Sequence, residues 1–206
     1  MKPRVSHPIF SSIYRHLQAP NERTWLGPCR ARLLSEVTGS VLEIGAGDGA
    51  SLPHYLRAKH VTLAEPDASM RKRLELPVMH ASVPASVVDA PAESLPFDDA
   101  SFDVVVSTLV LCSVFDLDLA LREARRVLRP GGKLAFIEHV RKGGAEGRWQ
   151  DRMRPLWSFV MGGCQLNRDS VDAIERAGFV LDRLEALRPP RALGILQPIM
   201  VGLATR

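Results

Sequence analysis

"VLEIGAGDGA", residues 41–50, places three glycines, Gly45, Gly47 and Gly49, directly after an apolar run that carries the acid Glu43. A tight turn needs fewer glycines than this. Alternating glycines permit positive φ and let another molecule approach the backbone where a side chain would intrude. The run before them, "SVLEIGAG", is β-branched and apolar, the pattern of a buried strand. Gly45 thus lies where the first strand is expected to turn into the first helix. In an open α/β sheet that is where ligands bind, outside the carboxyl ends of the strands.

Working outward, "HVTLAEP" reads as a second strand stopped by Pro66, followed by a helix over "DASMRKRLEL" with Asp67 as its N-cap. "SVVDAP" reads as a third strand, and "FDVVVSTLVL" as a long fourth strand buried on both faces. "DLALREARRVLRPGG" is amphipathic and should stop at Pro130-Gly131-Gly132. "KLAFIEHV" is a fifth strand, "SVDAIERAGF" a helix, and residues 179–206 make two final strands around an "RPPR" turn. Strands alternating with helices predict an α/β, doubly wound, mostly parallel seven-stranded sheet. Residues 143–163, with Trp149, Trp157 and paired glycines, read as an insertion, and residues 1–25 and 143–170 as a small helical cap on one domain of 206 residues.

Composition narrows the function. Hydrophobic residues make up 46% and charged residues 24%, as in an ordinary globular protein. No apolar run reaches the roughly 20 residues of a membrane span, and "MKPRVSHPIFSSIYRHL" lacks the apolar centre of a signal peptide. A cytoplasmic protein without a transmembrane anchor is expected, as a monomer or weak dimer. The three cysteines, Cys29, Cys112 and Cys164, are too far apart to suggest disulfides or zinc ligands, so no metal is expected. The net charge is only +4 and the 22 arginines are scattered, which argues against nucleic acid.

The glycines alone leave two ligands open. "GAGDGA" satisfies the dinucleotide fingerprint through Gly45, Gly47 and Ala50, and Glu65 falls 20 residues after Gly45, where a ribose-binding acid belongs. A nicotinamide dinucleotide and S-adenosylmethionine both present a ribose diol. A pyrophosphate, however, wants free backbone N–H groups and no acid nearby. Glu43 and Asp48 bracket the glycines and suit a cationic ligand better.

The blocks "VLEIGAGDG", "VTLAEPD", "AESLPFDDASFDVVV" and "VLRPGGKLAFIEHV" resemble the class I S-adenosylmethionine-dependent methyltransferases over nearly the whole chain. The resemblance implies that Gly45, Ala46, Gly47 and Gly49 line the aminocarboxypropyl arm and ribose. It implies that Glu65, with Pro66 beside it, holds the ribose hydroxyls, that Met70 packs on adenine, and that Ala92 and Glu93 meet the adenine edge. Ser107 then lies beneath the methionyl end. An aspartate that many relatives set near adenine is replaced here by Pro91. "STLVLCSV", "FIEHV" and the later Gly162-Gly163-Cys164 look like the alkyl-thiol methyltransferase branch. That branch implies a small thiol acceptor, with S-adenosylhomocysteine as co-product. Methylation of an oxygen or nitrogen of a quinone-like or natural-product molecule stands as the alternative, and a cofactor-binding module without catalysis as another class.

The remaining candidates are chemical. Glu138 and His139 end the fifth strand at the cleft edge, where His139 could take a proton; a structural histidine is the other reading. Cys112 is a substrate-side residue or a small buried hydrophobe. Cys164 lines the acceptor pocket or packs. Trp149 and Trp157 wall an apolar pocket or join the cap to the sheet. Tyr14 is a lid residue over the cofactor or a helix-packing residue.

Overall fold

Seven strands form one sheet in the order β3-β2-β1-β4-β5-β7-β6. They are β1 Thr38–Ile44, β2 Arg57–Ala64, β3 Ala85–Val88, β4 Phe102–Thr108, β5 Leu128–His139, β6 Val180–Leu187 and β7 Ile199–Thr205. The computed structural model describes residues 18–160, 163–188 and 198–206. β1 to β5 pair in parallel, and β7 runs antiparallel between β5 and β6. The expected "RPPR" turn falls outside the described residues apart from Arg188.

Residue alternation along the strands feeds a core on each face. Leu42, Ile44, Val105, Leu134 and Phe136 face α3 (Leu117–Val127) and α5 (Ser170–Arg176). Val41, Val104, Val106, Ala135 and Ile137 face the other way, toward α1 (Gly27–Leu34) and α2 (Ala68–Met79). Both α2 and α3 begin where an aspartate accepts from the first-turn amides. Asp67 takes Ser69 N at 2.7 Å and Met70 N at 3.2 Å, and Asp116 takes Leu119 N at 2.9 Å.

Three expectations change. No α-helix follows the glycine loop, which leads only into a 3-10 turn at Leu52–His54 before β2. β4 stops at Thr108 rather than running to residue 111, because Leu109 adopts φ +57 and turns the chain. α3 ends at Val127, ahead of the Pro-Gly-Gly stretch, because Leu128 is already extended and starts β5. The insertion is a single helix, α4 (Gly144–Val160), with Pro155 inside it.

Candidate active site

The carboxyl ends of β1, β2, β4 and β5 converge, and the expected residues gather there. Gly45 and Gly47 both adopt positive φ, +60 and +59, which a side chain would strain. The two are held to glycine for different further reasons. A Cβ on Gly45 would lie 2.6 Å from the Val110 methyls, whereas a Cβ on Gly47 would meet nothing within 4 Å. The inner side of the loop is thus closed by packing and the outer side is an open cradle. Ala46 is buried beneath it.

Glu65 follows β2 and is 6% exposed. Its Oε2 accepts from Gly47 N at 2.8 Å and its Oε1 from Asp67 N at 2.9 Å. Burial pushes its pKa up to about 7 against the pull of those two amides. Each oxygen keeps acceptor capacity for a further donor. Pro66 is half-buried beside it, and Met70 is buried at the start of α2.

Glu43 points away from the open cradle. It is buried under the loop, where it accepts from the Tyr55 hydroxyl at 3.0 Å, and burial raises its pKa. Arg30 joins this layer, donating to Ser51 Oγ at 2.6 Å and pairing with Glu22 at 3.2 Å. The set ties α1 to the glycine loop.

On the β3 side, Ala92 is buried and Glu93 is already engaged: its Oε1 accepts from Phe115 N at 2.6 Å and Asp116 N at 3.2 Å. The loop that carries them is strapped by Arg126, which donates to Phe97 O at 2.8 Å, Leu95 O at 3.0 Å and the Asp99 carboxylate at 2.8 Å. Glu123, paired with Arg126 at 2.7 Å, accepts from Leu95 N at 2.9 Å.

The β4–β5 end is built on Glu138. This carboxylate is fully buried, and its Oε1 accepts from Ser107 Oγ at 2.8 Å, Val110 N at 2.9 Å and Leu111 N at 3.0 Å. The left-handed turn at Leu109 aims those two amides at it. Burial, and next the charge of Cys112, raise the pKa of Glu138 to about 7 against the same hydrogen bonds.

His139, Cys112 and Cys164 meet beside it, from three separate elements. The two Sγ atoms and a ring nitrogen of His139 all lie within 4.8 Å of one another, and Cys164 Sγ is 3.4 Å from His139 Nε2. All three are buried. A hydrogen bond from Cys164, and then His139 beside it, hold Cys112 well below the usual thiol range, while that bond and burial push Cys164 up. Burial works against an imidazolium, but the neighbouring Cys112 outweighs it and holds His139 above its ordinary value. Gln165 N donates to Cys112 O at 2.8 Å, and Arg168 donates to Leu111 O at 2.7 Å.

Of the two tryptophans on α4, Trp157 has a buried indole nitrogen, and Trp149 is half exposed. Tyr14 lies outside the described residues. Arg30 and Arg126 escaped the sequence reading, since in a chain with 22 arginines nothing local marks the ones that strap a loop. The Cys–His–Cys meeting escaped it because the residues are far apart in the chain.

The sheet order with one antiparallel strand, the glycine loop and the acid after β2 define the Rossmann-like methyltransferase architecture. A methyltransferase domain family model matches residues 42–136. The human thiol S-methyltransferase TMT1A is 37% identical over 96% of this chain and 83% of its own, and human TMT1B is 33% identical over 97% and 88%. The chain therefore belongs to the class I S-adenosylmethionine-dependent methyltransferase family that includes TMT1A and TMT1B. Among solved structures, a SAM-dependent methyltransferase from Thermotoga maritima superposes with a TM-score of 0.70 at 23% identity, covering 96% of this chain and 98% of that one. The cyclase SpnF superposes with a TM-score of 0.73 at 17% identity, covering 96% and 94%. The fold thus serves more than one chemistry. No helix among the described residues is long and apolar enough to cross a membrane.

Proposed function

We propose that this protein transfers the methyl group of S-adenosylmethionine to a small thiol. The observation that carries the reading is the match to thiol S-methyltransferases over 96% of the chain, which takes in the cap as well as the sheet.

The site fits the methyl donor. The side of Gly47 where a Cβ would meet nothing leaves room for a ligand against the backbone, and Glu65 offers two acceptor oxygens that suit a ribose diol. In this reading Gly45, Ala46 and Gly47 line the aminocarboxypropyl arm, Met70 packs on adenine, and backbone near Ala92 meets the adenine edge. Glu93 serves instead to anchor the start of α3. S-adenosylmethionine supplies a methyl group on a sulfonium, whose departure as a neutral thioether requires no acid.

The protein must then align the acceptor and exclude water. Glu138 is enclosed and committed to three donors, so its role is to position the 107–111 turn. A thiol with a pKa of about 8.5 is already ~3% thiolate at pH 7 and needs little base. A phenol, with a pKa near 10, needs more. Methylation of a quinone-type ring is the second reading. A ubiquinone/menaquinone biosynthesis C-methyltransferase from a Shewanella strain is 39% identical over 63% of this chain and 57% of its own.

The test is an acceptor panel of alkyl thiols, phenols, quinols and amines, with product mass as the readout. The expected product is the methyl thioether. A phenol or quinol methylated far faster than every thiol would overturn the reading in favour of the second.

A further inference from the structure

We propose that Cys112, His139 and Cys164 form a mononuclear zinc site whose fourth coordination position takes the acceptor as its thiolate. Only the fourth position rests on the thiol reading above.

The donor set comes first. Two thiols and an imidazole converge with all their donor atoms within 4.8 Å of one another. Tetrahedral zinc, with Zn–S near 2.3 Å and Zn–N near 2.0–2.1 Å, sets sulfur and nitrogen about 3.5 Å apart. The separation of Cys164 Sγ from His139 Nε2 is 3.4 Å. Thiolate and imidazole both suit zinc, and a tetrahedral sulfur–nitrogen set is a geometry zinc favours. Two cysteines and one histidine leave a four-coordinate ion one exchangeable position, the arrangement of catalytic rather than structural zinc.

Electrostatics and rigidity agree. A divalent ion with two thiolates and a neutral imidazole has no net charge, so it can occupy this buried place at modest cost. A third thiolate would add one negative charge, and the Arg168 guanidinium is bonded to the carbonyl of Leu111, the residue before Cys112. The segments that bear the ligands are braced against one another by bonds that do not use the ligand atoms. Gln165 N bonds Cys112 O, and Glu138, the neighbour of His139, bonds Leu111 N. A disulfide between Cys112 and Cys164 would use two of the three donors and leave the histidine idle.

Position gives the site its role. Val110, two residues before Cys112, closes the inner side of Gly45. The cluster therefore begins two residues beyond the side chain that walls the loop assigned to the methyl donor, between β4, β5 and the segment after α4. An acceptor R–SH reaching zinc gives its proton to solvent, and the sulfur keeps its electron pair and forms the fourth bond to the metal. No oxidation state changes. At pH 7 this converts an acceptor that is ~3% thiolate into one that is almost wholly so. The neutral thioether product is a poor zinc ligand and leaves.

The experiment measures metal in tag-free protein by mass spectrometry, then follows cobalt replacing zinc by absorption. The expected result is one zinc per chain, and a tetrahedral cobalt spectrum whose thiolate charge-transfer band grows when an alkyl thiol is added. Cys112→Ser and Cys164→Ser should each weaken zinc at least 100-fold, while Cys29→Ser should not. Calorimetric binding of S-adenosylhomocysteine checks that each variant is folded, and His139→Cys, which keeps three ligands, should still hold the ion. Protein without zinc that takes up none on addition, or zinc retained by the Cys112→Ser, Cys164→Ser double variant, overturns the site. So does a Cys112–Cys164 disulfide in protein purified without oxidant. A cobalt spectrum indifferent to thiols overturns the fourth position. Thiols methylated at the full rate by zinc-free protein would leave the thiol reading standing without the metal. A zinc protein that turns over no thiol would leave the metal site standing without that reading.

Discussion

The carboxylate of Glu65 makes cofactor binding depend on pH in a way that can be calculated. In the ligand-free protein burial lifts its pKa to about 7. The group therefore carries a proton over much of the range from pH 4.5 to 7, where an unfolded glutamate would be ionised. A ribose diol donates to the ionised form, so binding below pH 7 must expel that proton. The observed Kd then scales as one plus ten to the power of seven minus the pH. S-adenosylhomocysteine should bind about tenfold more weakly at pH 6 than at pH 8, and release about 0.9 proton per ligand at pH 6 against about 0.1 at pH 8. Glu65→Gln lacks both the charge and the titration. It should bind roughly 10- to 150-fold more weakly at pH 8, corresponding to about 1.5–3 kcal/mol. Its curve should be flatter, so that the gap between the two proteins narrows about tenfold by pH 6. Calorimetric titration in two buffers of different ionisation enthalpy measures both the Kd and the proton count, and the variant subtracts any titration of the ligand itself. A wild-type curve as flat as that of the variant, or a variant with the full wild-type slope, would refute the assignment of the ribose to Glu65.

Other expectations follow from the same contacts. Gly45→Ala should lower the melting temperature of the ligand-free protein, since its Cβ would meet Val110 at 2.6 Å. Gly47→Ala should cost only the strain of its positive φ, about 1–2 kcal/mol, yet lose at least tenfold in S-adenosylhomocysteine affinity by calorimetry. Glu138→Ala leaves three donors without their acceptor and should cost about 2–4 kcal/mol in denaturant unfolding, with Glu138→Gln, which keeps a carbonyl oxygen, recovering much of it. Arg126→Ala should speed amide exchange at Leu95 and Phe97 and weaken S-adenosylhomocysteine several-fold while the sheet stays folded. Unchanged exchange at those amides would show that the guanidinium does not hold the loop.

Much of this architecture is written locally. The strand leading into Gly45, the Asp67 cap and the amphipathic stripe of α3 are short-range patterns, and they appear where expected. What is not local was not legible. The segment of α4 reads as an insertion within a helical cap but without helix bounds, because Gly144, Gly147 and Pro155 punctuate it; the chain from Gly144 to Val160 is one helix. Glu43 looked like a counter-charge to a ligand because sequence gives its distance along the chain but not the direction of its side chain. Strand alternation sends it to the face of Val41, where Tyr55 receives it. The meeting of Cys112, His139 and Cys164 is hidden because such clusters are recognised in sequence by close spacing. Here 27 residues separate Cys112 from His139 and 25 separate His139 from Cys164, and only the pairing of β4 with β5 and the return of the chain after α4 bring them together.

The place of Glu138 also has a thermodynamic consequence. One carboxylate grips Ser107, which pairs with the end of β1, Val110, which packs on Gly45, and Leu111, whose successor is Cys112, while its own successor is His139. The two compartments share a single fastener. A shift of the turn that tightens one must reposition the other, so the occupants of the two sides should not bind independently. By reciprocity, whatever factor S-adenosylhomocysteine imposes on the affinity for an acceptor, the acceptor must impose on S-adenosylhomocysteine. The enzyme can thereby favour an order of loading without any moving lid.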